Sequence, residues 1–287
     1  MQSSRWRGRT ARVAAGSAAG AIALAGAVTT AGAGSASAAA GQPLVAFSFS
    51  APSGGTGAKQ TQFPSDGTAS VTTSVVSANG GQVTSVDSRA GAGSAVKLPA
   101  FDPSAGGPRA VISVVNAAGS DQMAPGSRSF SWGADFVLSA DSATHASGSE
   151  DDGDNLVQRG LYGHTQMKLD ADGRRPGCRL RGSTGSAGAV RVVAPMTVDA
   201  GHWYRATCSR SGSTLSITVS QFDSSGAVAR TWSRSATSGA GFGSITWDRV
   251  RTPLTIGGKL TSRGHLTSGS SDQFNGRVDN VELRITG

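Results

Sequence analysis

The sequence predicts an all-β protein, an antiparallel β-sandwich or jelly roll. Three observations carry this reading. Several segments alternate apolar and polar residues with a period of two. Gly, Ser, Thr and Val are abundant while Lys is sparse, and no long stretch shows the apolar period of about 3.6 residues that marks a helix.

The chain opens on a segment that does not belong to the fold. Residues 1–38 carry Arg5, Arg7, Arg9 and Arg12, then an apolar run around AIALAGAV, then small residues ending in Ala36-Ser37-Ala38. This order is that of a secretory signal peptide, with cleavage expected after Ala38 and an extracellular product. The apolar run is too weak for a membrane span, and no other segment approaches the roughly 18 uninterrupted apolar residues that one needs. The segment contains four arginines and no acid, so its removal lowers the formal charge from +8 to +4. Half of the basicity that would suggest a polyanion partner therefore belongs to the export signal, and a nucleic-acid function is not expected.

The remainder, 39–287, has the length of one large sandwich and reads as a single domain with long loops. In order along it, Val45, Phe47 and Phe49 share one face of LVAFSFS, and Phe130, Trp132, Phe136 and Leu138 share one face of FSWGADFVL. Leu215, Ile217 and Val219 do the same in LSITVSQF, and Val281, Leu283 and Ile285 in VELRI. Such alternation is that of half-buried strands. Turns are signalled at Ala78–Gly81, Asp170–Gly173 and Asp223–Gly226, the last two as short hairpins. Cys178 and Cys208 both lie in the exported part, where oxidation is the default, and are expected to form one disulfide.

The usual signatures of catalysis are missing. The only two glutamates, Glu150 and Glu282, are far apart in sequence, and the Asp-x-Asp pairs Asp152/Asp154 and Asp170/Asp172 sit beside glycines in turn-like stretches. A glycosidase needs two carboxylates about 5–9 Å apart across the scissile bond. There is no G-x-S-x-G elbow, H-E-x-x-H helix or phosphate loop, and the four histidines are scattered.

A series of short motifs points to a family. FSWGADF at 130–136, NLVQRG at 155–160, Lys168-Leu169 and Cys178-Arg179 are followed by GHWYRATC at 201–208, PLTIGG at 253–258 and FNGRVDNV at 274–281. In this order they resemble a laminin-G-like domain of the concanavalin A-like lectin/glucanase superfamily, in the form found in secreted actinobacterial proteins. The resemblance runs from about Val45 to Ile285. It implies two curved sheets, the first strand pairing near the last, often a calcium ion at one rim, and a glycan or protein ligand nearby.

Within that frame the candidate residues follow. Trp132 and Trp203 read as core. Trp232 and Trp247 stand among polar residues and are candidates for stacking on a sugar face. Glu150, Asp151, Asp152 and Asp154 form an acidic loop that is either a solvated turn or a calcium site, with Asp272 and Asn275 as candidates to complete the shell. By strand parity Asp279 shares a face with Val281 and points inward, held by an arginine or backbone amides, or else as a calcium ligand. Arg179 and Arg181 share a strand face in an arginine-rich hairpin and could bind sulfated or carboxylated glycans. The expected function is a secreted, non-catalytic domain binding carbohydrate or a cell-surface polymer, with calcium as a possible cofactor. The alternatives are a glycoside hydrolase or polysaccharide lyase on the same fold, or a structural or adhesive envelope protein with a protein partner.

Overall fold

The computed structural model describes residues 42–50, 55–90, 92–144, 153–267 and 271–286. Its strands are β1 (Val45–Phe47), β2 (Lys59–Gln60), β3 (Val71–Ala78), β4 (Val83–Asp87), β5 (Ser94–Lys97), β6 (Arg109–Asn116), β7 (Ser129–Leu138) and β8 (Asn155–Arg159). They continue with β9 (Gln166–Asp170), β10 (Gly177–Arg181), β11 (Val190–Val193), β12 (Tyr204–Ser211), β13 (Thr214–Phe222), β14 (Val228–Thr237), β15 (Leu254–Ile256) and β16 (Gly276–Thr286). No helix among the described residues is long and apolar enough to cross a membrane.

The strands form two antiparallel sheets. The first has the order β14-β13-β12-β7-β16-β5-β4-β2, with β1 also on β16; the second has the order β11-β10-β9-β8-β15-β6-β3. The first strand does meet the last, Val45 facing Leu283 and Phe47 facing Val281. Both hairpins form: β9 and β10 pair around 170–173, and β13 and β14 around 223–226, where the Asp223 carboxylate accepts the amides of Ser225 and Ala227. The third turn has another role. It carries the chain from β3 in the second sheet to β4 in the first.

The core lies between the sheets, where period-two alternation sends Phe130, Trp132, Phe136, Ile217, Val219 and Leu283 from one side against Leu156, Met167, Leu169, Leu180 and Ile256 from the other. A disulfide, Cys178–Cys208, joins β10 to β12 and so ties one sheet to the other. With a sequence separation of 30 between the cysteines, closing this loop contributes about 3–4 kcal/mol through the unfolded chain. Phe49 follows β1 with φ of 51° and packs at the edge of the core. Tyr204 takes the buried side of β12, whereas Trp203, read as core from the sequence, stands outside the strand and is only partly buried.

Parity also fails at Asp279. A bulge lies between Asp279 and Glu282, where Asn280 adopts φ of 45° and absorbs one residue. Val278 faces Phe136 in the core and Asp279 faces Asp135 on the outer side of the first sheet, so Asp279 does not share the face of Val281. It is buried all the same, because Ser88 in the β4–β5 loop donates its hydroxyl to one carboxylate oxygen while the Asn280 amide donates to the other at 2.7 Å. Asp135 beside it accepts from Arg205 at 2.9 Å and from Asn280 at 2.8 Å.

Candidate binding groove on the second sheet

The outer face of the second sheet carries a row of polar side chains. Arg191, Arg179, Lys168, Gln158, Thr255 and Ser113 stand opposite one another on successive strands β11, β10, β9, β8, β15 and β6. Their neighbours in sequence, such as Cys178, Leu180, Met167, Leu169 and Val157, turn inward to the core, which is what fixes this face as the outer one.

A groove of about 390 Å³ opens over the middle of the row. Gln158, Gln166, Lys168 and Arg179 form its floor, the turn of Leu161 and Tyr162 one wall, and Lys259, Thr267 and Asp272 the other. The Tyr162 wall depends on Gly160, which has φ of 77° and whose missing side chain would sit 2.0 Å from the Thr165 carbonyl. Only glycine closes the β8–β9 connection that tightly. The turn leaves Tyr162 78 % exposed as a residue. Gln158 and Gln166 are almost fully buried, and each is held: Asn155 donates to Gln158 at 2.8 Å, and Arg179 Nε donates to Gln166 at 3.1 Å. The Arg179 guanidinium lies over the Tyr162 ring at 4.7 Å.

Charge at one side of the groove is closely matched. Lys168 Nζ stands 2.6 Å from Asp170 and 3.7 Å from Asp172; Arg191 stands 3.4 Å from Asp170 and 3.8 Å from Asp172; Lys259 stands 3.0 Å from Asp272. Burial disfavours the Lys168 ammonium, but the carboxylates of Asp170 and Asp172 outweigh it and raise its pKa. Gly177 makes room for the cross-strand contact, since a Cβ there would lie 2.9 Å from the Asp170 carboxylate and 3.4 Å from Arg191.

The residues singled out in the sequence fall in several places. Arg179 lies in the groove, and Arg181 is one position further along the same face of β10, opposite Gln166. Asp272 is in the groove wall, with its carboxylate accepting from Lys259 and, at 3.1 Å, from Asn155. Asp154 and Asn275 meet nearby: the Ser142 hydroxyl lies 2.5 Å from the Asp154 carboxylate and 3.1 Å from the Asn275 carbonyl oxygen, and Pro99 O accepts the Asn275 amide. Glu150, Asp151 and Asp152 lie outside the described residues. Asp279 is on the opposite outer face of the sandwich and is not brought together with this group.

Neither stacking candidate lines the groove. Trp232 sits on the edge strand β14 opposite Val219 and is half-buried against the core. Trp247 lies behind the groove wall, lining a cavity of about 80 Å³ that shares Leu161 with the groove, and the guanidinium of Arg159 covers its ring at 4.2 Å. The aromatic ring at the groove is instead Tyr162. Tyr162 and Lys259 were not singled out in the sequence, and Lys168 entered only as part of a family motif; the available signal was the polar alternation of Gln166 and Lys168 against Met167 and Leu169.

No protein-family profile and no curated protein sequence matches the chain. Solved structures do. The binding domain of Paraclostridial Mosquitocidal Protein 1 matches with a TM-score of 0.51 at 11 % identity, over 86 % of this chain and 50 % of that one. The binding domain of botulinum neurotoxin serotype G matches with a TM-score of 0.51 at 11 % identity, over 85 % and 48 %. The LG1-3 region of the laminin alpha2 chain gives a TM-score of 0.39 at 14 % identity, over 54 % of this chain and 27 % of that one. The chain spans about half the length of the two toxin domains. At these identities the likeness concerns the fold alone, which is an antiparallel β-sandwich.

Proposed function

We propose that this is a secreted, non-catalytic binding domain that takes a carbohydrate or cell-surface polymer in the groove on its second sheet. The observation that carries the reading is the groove's composition. An exposed tyrosine ring supplies a face for the C–H side of a sugar, and buried, pre-held amides and cations supply directional hydrogen bonds beside it. The sandwich that positions them is shared with the binding domains of two toxins, which is compatible with this use.

Calcium remains in the proposal at one place. Asn275 and Asp154, the latter following the acidic segment 150–152 in the sequence, present oxygens, the donor type calcium takes. Asp272 and Asp279 fit it less well, because Asp272 is ion-paired with Lys259 and Asp279 lies on the opposite outer face of the sandwich.

The test is a glycan and polysaccharide array with the purified protein and its Tyr162→Ala variant, paired with thermal unfolding in calcium and in chelator. Binding that falls at least tenfold in the variant is expected. Calcium is expected to raise Tm in the wild type and not in Asp154→Asn. Sugar binding that Tyr162→Ala leaves untouched would remove the groove from this role, and a Tm indifferent to calcium would end the calcium reading.

A further inference from the structure

Resting on the glycan-binding reading of the groove, we propose that it selects an anionic saccharide, one bearing a carboxylate or sulfate group, which Arg179 receives without help from calcium. The first argument is a charge count. Three carboxylates, Asp170, Asp172 and Asp272, are matched by three cations, Lys168, Arg191 and Lys259. Arg179 is a fourth cation, and no carboxylate among the described residues pairs with it.

Its position makes that surplus unfavourable in the free protein. Arg179 stands directly opposite Arg191 on one neighbouring strand and opposite Lys168 on the other. Adjacent strands lie about 4.8 Å apart, and like charges directly opposite destabilise a sheet. Asp170 and Asp172 answer the charges of Arg191 and Lys168, which leaves the central guanidinium to be answered by a ligand.

Its geometry suits that task. Gln166 holds Nε, and the Tyr162 ring lies against the guanidinium plane at 4.7 Å. The terminal nitrogens then present a fork to the groove, and such a fork matches a carboxylate or sulfate better than a single ammonium does. A saccharide that stacks on Tyr162 brings its acidic group within reach of Arg179.

The same count explains why the groove has no need of calcium. In an acidic sugar site a divalent ion neutralises the carboxylates and anchors the ligand. Here Lys168, Lys259 and Arg191 neutralise them, and an added divalent ion would meet the unmatched positive charge of Arg179.

The test is calorimetric titration with three probes, in calcium and in chelator. The probes are a hexuronic-acid oligosaccharide, its carboxyl-reduced neutral counterpart and a sulfated oligosaccharide of the same length. The wild type is expected to bind at least one of the anionic probes ten times or more as tightly as the neutral one, equally well in both buffers. Comparing the two anionic probes identifies the acidic group. Arg179→Gln is expected to bring the anionic probes down to the neutral affinity, and Arg179→Lys, which keeps the charge and loses the fork, to fall between. Neutral and anionic probes bound equally by the wild type would overturn the anion selection while leaving glycan binding standing. Preference that survives in Arg179→Gln, or that chelation abolishes, would overturn the role of Arg179 or the independence from calcium. Binding of none of the three would overturn the groove reading together with this inference.

Discussion

Replacing Asp121 with alanine is expected to destabilise the protein by about 3–5 kcal/mol, the range found when one partner of a buried ion pair is removed. Arg159 is fully buried on the core side of β8. Its guanidinium pairs with both carboxylate oxygens of Asp121 at 3.0 Å, donates to the Thr252 carbonyl at 2.9 Å and lies over Trp247. Burial lowers the pKa of Arg159 against the pull of Asp121, a measure of how much the charge depends on its partner. Without Asp121 the guanidinium keeps carbonyl acceptors and loses its counter-charge. An apolar side chain of similar length needs no counter-charge, so adding Arg159→Met to Asp121→Ala is expected to recover most of the loss in urea unfolding. A double variant no more stable than Asp121→Ala alone would show that the cost lies elsewhere, for instance in the bond from the Met123 amide to Asp121 at 3.1 Å.

The second large effect depends on pH. Asp279 has its pKa raised from 3.8 to about 6, first by burial and further by the neighbouring Asp135 carboxylate, against the bonds from Ser88 and Asn280 that favour the charged form. A folded pKa above the unfolded one means that the folded state holds the proton more tightly. The contribution of Asp279 to stability is therefore fully present below pH about 3.8 and is lost as pH rises to about 6. After a discount for solvent screening the loss is roughly 2 kcal/mol. Asn at this position remains neutral and can still accept from the Asn280 amide while donating to the Ser88 hydroxyl. Asp279→Asn is accordingly expected to match the wild type in Tm near pH 4 and to exceed it by roughly 4–8 °C at pH 8. Other carboxylates, such as Glu282 with its arginine partners, shift both proteins alike and cancel in the comparison. An equal gap at both pH values would refute the assignment.

Both sites show where a sequence ceases to be legible. The alternation of VAF and VELRI was enough to mark two strands, and the turns at 170–173 and 223–226 were enough for two hairpins, because each of these is a local rule applied to adjacent residues; the pairing of β1 with β16 was implied only by the family resemblance. Parity then misplaced Asp279, since a single residue in an unusual conformation, Asn280, reverses which side chains face the core. Trp247 looked available to a sugar because its covering group, Arg159, comes from 88 positions earlier in the chain. The groove was legible only at Arg179 and Asp272. Its other cations, Lys168 and Lys259, belong to segments separated by about 90 residues, and nothing local to either marks it as a neighbour of the other.

The central claim is that ligand enters over β8, β9 and β10 on the second sheet. Hydrogen–deuterium exchange of the protein with and without a bound saccharide from the array tests it most directly. Protection is predicted in the 158–168 segment that carries Tyr162, in β10 around Arg179 and in the 259–267 wall, with the outer face of β12–β14 unchanged. Protection confined to β12–β14 or to the Asp135 and Asp279 face, with 158–168 unaffected, would contradict the account.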